Sequence, residues 1–308
     1  MSLDMLTPYL VEIARPIIGA KTIQVILFRE VLDYTVLRTE ETREVNTVVT
    51  PLSISIGKDV RRAAFLGSKQ KAVESRELER MLRTAGVEAG LVELQCHLKD
   101  NLCLKCPRCA LFGGTNVESG SEKIANIKHR IEYGTAFSLL PFEEVRVALT
   151  FNAINDKTQK TGQALGTRYA VRPSTVFPSV VTLKSVTHKE LILVIKTLLS
   201  ARNYGAETRI GGDMRNSIVG IVAGWEEMIT PLELTLELYD RREDLSGDTV
   251  AGILDRYQAY AGNPNKLKVF TPEQVDLMVE QVAEVSLDRR FLDEAYADVA
   301  QYRLEQKG

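Results

Sequence analysis

The chain has 308 residues, 44% of them hydrophobic and 26% charged, with 39 Lys and Arg against 41 Asp and Glu. That composition fits a globular protein large enough for a sizeable core, as one large domain or two smaller ones, and excludes a low-complexity or fibrous chain. The net charge of −2 excludes a uniformly basic nucleic-acid binder, and no run reaches the ~20 apolar residues that cross a bilayer.

The charge is unevenly spread. Residues 157–215 carry ten Lys or Arg against three Asp or Glu, whereas residues 240–308 carry nine against fourteen. This asymmetry predicts one face for a polyanion and a separate acidic face. Asp4 and Glu12 stand where a secretory signal would be basic and then apolar, so a cytoplasmic protein is expected. In that compartment clustered cysteines bind metal more often than they form disulfides.

In chain order, residues 1–20 predict a short helix ending near Gly19. Residues 22–38, rich in β-branched and aromatic side chains, predict one long strand or a bent pair. Residues 45–56 read as extended, with Pro51 kept off a central ladder. Residues 59–83 read as a helix with Leu78, Met81 and Leu82 inward, interrupted at Gly67. Lys58, Arg61, Arg62, Lys69 and Lys71 make this region basic, either as a solvated face or as a phosphate-contacting one.

All four cysteines fall between Cys96 and Cys109, spaced C-x6-C-x2-C-x2-C. Four thiolates close a tetrahedral zinc site, and x2 spacing lets two sulfurs reach one ion from one turn. Buried free thiols are the alternative, but clustering argues for a metal. His97 stands beside Cys96 as a possible replacement ligand. Lys105, Arg108, Gly113 and Gly114 surround the knuckle.

Residues 118–128 read as a loop, and 130–140 and 145–154 as strands. Residues 155–186 hold Gly162, Gly166, Pro173 and Pro178, which preclude a long helix, together with Lys157, Lys160, Arg168, Arg172, Tyr169 and Phe177. A basic hairpin with interleaved aromatics is the expectation, the kind of projection that tracks a nucleic-acid backbone. Thr187 with Glu190 forms a capping box for a helix over 187–202. Arg209, Gly211, Gly212 and Arg215 mark a turn or a phosphate approach before a strand over 217–225. Thr271, Pro272 and Gln274 start another helix, and the tail reads as an acidic amphipathic helix.

No H-E-x-x-H, G-x-S-x-G or P-loop pattern occurs, and only three histidines are present. Asp33 and Asp156 are lone acids without evident partners.

The 67–80 stretch, the cysteine knuckle running into Leu111-Phe112-Gly113-Gly114, and the strand at 130–140 carry a resemblance. So do the basic insertion before Thr187 and the glycine-rich 211–224 segment. Together they resemble the backbone subunit of type I-D CRISPR interference complexes across nearly the whole chain. The resemblance implies an α+β fold: an RRM-like (ferredoxin-like) antiparallel sheet with helical, zinc-knuckle and thumb-hairpin insertions. It implies copies stacked along one crRNA, a thumb that kinks the guide at intervals, a target DNA strand paired to it, other effector subunits as partners, and no membrane. Its segments would be 1–90 (first part of the core, with a basic palm), 91–129 (zinc knuckle), 130–154 (core strands), 155–186 (thumb), 187–239 (core helix and strand) and 240–308 (C-terminal helices).

The basic side chains and glycines named above are then the expected RNA contacts, and zinc a structural cofactor. The central strands lack the aromatic signature of an RRM, which favours backbone contact over base stacking. Related type III subunits cut target through a loop aspartate, for which Asp33 is the weak match. A non-enzymatic scaffold is the leading expectation. A target-cleaving subunit and an unrelated zinc-knuckle RNA binder are the alternatives.

Overall fold

The computed structural model describes residues 3–15, 21–38, 44–91, 96–97, 102–116, 125–154, 157–207 and 211–307. A 3-10 helix over Leu3–Tyr9 leads to β1 (Thr22–Val31), β2 (Thr47–Pro51), β3 (Asp59–Phe65) and α1 (Gly67–Glu88). Then follow α2 (Pro107–Phe112), β4 (Gly114–Asn116), β5 (Ala125–Ile127), β6 (Ile131–Tyr133), β7 (Ala136–Phe137) and α3 (Phe142–Val145). The central part holds β8 (Arg146–Ile154), β9 (Thr161–Val171), β10 (Val176–Lys184), α4 (His188–Ser200), β11 (Met214–Gly224) and α5 (Pro231–Tyr239). The chain closes with α6 (Gly247–Ala259), β12 (Lys268–Val269), α7 (Pro272–Glu284) and α8 (Arg289–Lys307).

The main sheet runs β12-β11-β1-β10-β6, and every pair is antiparallel. The chain passes from β1 through α1 to β6, then to β10, then through α4 to β11. β1 is buried along nearly its whole length because both faces of the sheet are covered. Ile23, Val25 and Leu27 pack with residues of α1, α4 and α7. Ile26 and Phe28, on the alternate face, pack with residues of α5 and α6. Helices α5 and α6 therefore cover the sheet face opposite α1, α4 and α7.

Caps set several boundaries as the sequence predicts. Thr187 accepts from the Glu190 amide while Glu190 accepts from that of Thr187, and Thr271 with Gln274 repeats the pattern. Glu190 also meets Arg130 in a fully buried two-pronged pair, with Nη1 of Arg130 donating to Oε2 at 2.7 Å. α5 begins with a third capping box, formed by Thr230 and Glu233.

Two readings need correction. Residues 59–65 form β3 rather than the start of a helix. They pair with β2 and β7, and the helix begins only at Gly67. A side chain at Gly67 would collide with the Tyr133 carbonyl oxygen. The stretch 155–186 also divides. Its second half is β10, a central strand between β1 and β6. β8, expected as a core strand, is the hairpin's other arm and pairs with β9 from Arg146↔Val171 to Ile154↔Thr161. The consecutive apolar positions of β10 signal a strand buried on both faces. Pro178 lies beyond Val181–Leu183, the only part that β6 pairs, so it breaks no ladder bond on that side.

Candidate metal centre and nucleic-acid interface

The four cysteines are free, and their sulfurs all lie within 4.8 Å of one another. Cys106 is the N-cap of α2, Pro107 opens the helix, and Cys109 sits one turn on. Leu104, with φ of 54°, turns the loop so that Cys103 faces back, and the Lys105 amide donates to the Cys103 sulfur at 3.4 Å. Sulfurs of Cys96 and Cys109 are 3.6 Å apart. Four sulfurs at 2.3 Å from one ion would stand about 3.8 Å apart, so the set fits tetrahedral coordination. Hydrogen bonding from Cys106, then Cys109 and Cys96, holds the Cys103 thiol far below its usual range. The same contacts, Cys103 first, push Cys106 far above it. So many sulfurs cannot all lose protons unless a cation stands among them. The cluster can hold a metal ion such as zinc.

His97 is outside this set. It is exposed, with Nδ1 3.2 Å from the Arg83 guanidinium, and four sulfurs already complete the shell. Around the cluster, Ala14, Ile127, Val299 and Tyr302 form a small apolar core. The knuckle thus fastens the N-terminal segment and α8 to α2.

Among the described residues, no other group of three or more His, Cys, Asp or Glu is close enough to share a metal. Asp33 is exposed in the loop after β1, and its Oδ1 accepts from the Tyr34 amide at 2.7 Å. Asp156 lies outside the described residues.

Two expected RNA contacts are buried. Arg62, with 0% exposure, donates to the Thr50 hydroxyl and to the carbonyls of Leu52, Ser138 and Leu139, and stacks on Tyr239. Arg108, at 4%, donates to Ser75 at 2.8 Å and lies against the Cys109 sulfur. Both are internal fasteners that no ligand reaches. The alternation in β3 explains Arg62: Arg61 faces out and Arg62 in.

The glycines serve their own turns. A Cβ on Gly113 (φ 77°) would meet His129, and one on Gly212 (φ 65°) would lie 2.5 Å from Gly205. Gly114 is crowded by Leu102, and Gly211 by Asn203. The Gly211 and Gly212 carbonyls accept from the Gly205 and Tyr204 amides, which closes a turn.

The other cations are accessible to differing degrees. Arg61 pairs with Glu143, Arg215 with Glu30, and Arg168 shares Glu207 with Arg38. Lys69 and Lys71 are half-buried on α1, and burial, then Arg108, lowers the Lys71 pKa. Lys58, Lys105, Lys157, Lys160 and Arg172 are exposed, whereas Arg209 lies outside the described residues. Sequence reasoning missed Arg146, which is exposed at the hairpin base with its guanidinium 5.2 Å from the Tyr169 ring centre. Its signal was register: Arg146 opens the strand that pairs with the basic arm.

The hairpin springs from one end of the main sheet, where Val171 pairs with Thr35 beyond β1. Arg172 and Ser174 then line a groove of about 590 Å³ that reaches Glu144 and Arg242. The cysteine cluster lies toward the other end of β10. There the Arg130 carbonyl accepts from Lys184, the Arg130 amide donates to Leu111 of α2, and its guanidinium stacks on Tyr302. Nine residues of strand separate the two ends, about 25–30 Å.

The fold is shared with solved structures. The crystal structure of Thermofilum pendens Csc2 matches with a TM-score of 0.69 at 20% identity, covering 98% of this chain and 93% of that one. A chain of a CRISPR RNA-guided surveillance complex matches with a TM-score of 0.51 at 12% identity, covering 84% and 99%. No curated protein matches. The family model described as Csc2 Crispr matches residues 9–291, so the reading as an unrelated zinc-knuckle protein falls away. The chain belongs to the Csc2 family, the type I-D Cas7 backbone subunit of the CRISPR Cascade complex.

Proposed function

We propose that this chain is a non-enzymatic scaffold that stacks in copies along a crRNA. It holds the phosphate backbone, kinks the guide at intervals with the β8–β9 hairpin as thumb, and leaves the intervening bases free to pair with a target DNA strand in antiviral defence. The four-strand arrangement β11-β1-β10-β6, with both crossover helices on one face, is the RRM-like core of this reading. Zinc is the metal of the cysteine centre and orders structure without entering chemistry.

The observation that carries the proposal is the pairing of a basic hairpin with a roofed sheet. β8 and β9 form a two-stranded sheet of their own, with Lys157 and Lys160 exposed near the tip and Arg146 and Arg172 at the base. Meanwhile α5 and α6 cover the face where an RRM stacks bases. Such a protein can hold a guide by charge while base pairing supplies specificity.

The test is co-purification and salt dependence. The full chain expressed with a repeat-containing transcript is expected to yield multi-copy assemblies with RNA of one repeat-derived length. Replacing Lys160 and Arg172 together by alanine is expected to flatten the salt slope by about 0.7 per lost contact. A monomer without RNA affinity at low salt would overturn the reading.

A further inference from the structure

Thr35 and Val171 exchange both main-chain hydrogen bonds, at 3.0 and 2.8 Å, in an antiparallel bridge beyond β1. Both side chains are fully buried. The residues one step out, Tyr34 and Arg172, therefore face each other across the bridge on its opposite, outward side. Both are exposed, Tyr34 at 41%. Among the described residues neither the Tyr34 hydroxyl nor the Arg172 guanidinium has a hydrogen-bond or ionic partner. Arg215 nearby is tied to Glu30 and Arg168 to Glu207, and Arg146 lies against the Tyr169 ring, whereas Arg172 is uncommitted.

The site is held rigidly. The Asp33 carboxylate fixes the Tyr34 amide, the Leu32 amide donates to the Asp213 carbonyl at 2.8 Å, and the Ser174 amide donates to Val31 at 2.7 Å. Arg172 lines the groove and Tyr34 stands opposite it in register, so a flat ring and a planar cation offer the two contacts that one repeating unit of a single strand needs.

We propose that Tyr34 and Arg172 form a nucleotide clamp for single-stranded RNA. The Tyr34 ring takes the face of one base, and the Arg172 guanidinium takes the adjoining phosphate. The proposal rests on the RNA-binding reading above and adds a base-stacking contact that the covered sheet cannot supply. It also gives Asp33 a positioning role for the ring.

The full chain is titrated with a labelled mixed-sequence single-stranded RNA at several salt concentrations, alongside Tyr34→Ala, Tyr34→Phe and Arg172→Ala. Tyr34→Ala is expected to weaken binding about tenfold, the order of one lost base–aromatic stack, with an unchanged salt slope. Tyr34→Phe is expected to bind as the parent does. Arg172→Ala is expected to flatten the slope by about 0.7. If the parent binds and Tyr34→Ala binds equally well, the clamp is overturned while the scaffold reading stands. Weakening by Tyr34→Phe would overturn stacking in favour of a hydroxyl contact. A parent that does not bind RNA overturns both.

Discussion

Arg62 and Arg172 both stand in basic stretches, yet one is sealed in the core and the other is bare. Burial draws the Arg62 pKa down to about 10, still protonated at neutral pH. Its guanidinium saturates carbonyls that no water reaches. Arg62→Ala is expected to cost on the order of 3 kcal/mol in urea unfolding, because it strands those acceptors. The salt slope of RNA binding in the folded fraction is expected to stay unchanged. Charge counting could not separate the two arginines, because composition carries no information on which side of a strand faces the core. Alternation would have done so once β3 was recognised as a strand. Asp298 supplies a second prediction. Burial first, then the nearby Glu190 and Glu294, raises its pKa against the hydrogen bond from Thr187. A carboxyl raised on folding binds protons more readily in the native state. Its stabilising contribution is complete below the ordinary aspartate value and is lost as pH rises through the native value. Asp298→Asn is therefore expected to raise the melting temperature at pH 7, and the gain is expected to vanish toward pH 3.

At the scale of elements, the segments with their own chemistry were legible. The capping boxes at Thr187 and Thr271 placed two helix starts, and cysteine spacing marked the four-sulfur cluster that can hold a metal. Elements whose character is set by distant partners were not. β10 looked like hairpin because its apolar run is short and carries a proline, and only the covering of both faces makes it central. Among the candidate contacts, exposed lysines such as Lys160 were found, whereas the pairing of Tyr34 with Arg172 depends on a bridge between residues far apart in sequence. The knuckle packs on α1, α2 and α8, toward the end of the sheet away from the hairpin. Removing the metal with a chelator is expected to raise hydrogen exchange in residues 96–116 and 289–307 while β1, β10 and β11 stay protected. Early exchange throughout the main sheet would show that the centre is required by the whole fold.

At the scale of the molecule, near-neutral total charge conceals a division of labour. Cations gather on the hairpin and its base, whereas α7 turns Glu273, Asp276, Glu280 and Glu284 outward. The sheet between them is packed largely with β-branched and leucine side chains, and its buried Gln24 is bonded to the main chain at Met228 and Ile229. That rigid span has an energetic consequence. Sites at opposite ends of a strand about 25–30 Å long, with no shared partner, should behave as independent variables. Combining Cys103→Ser with Lys160→Ala is expected to give RNA affinity and unfolding free energy equal to the sum of the single effects, within about 0.5 kcal/mol. A larger coupling would mean that the sheet transmits strain from the metal centre to the thumb, making zinc occupancy a rheostat on guide binding rather than a rivet in the frame.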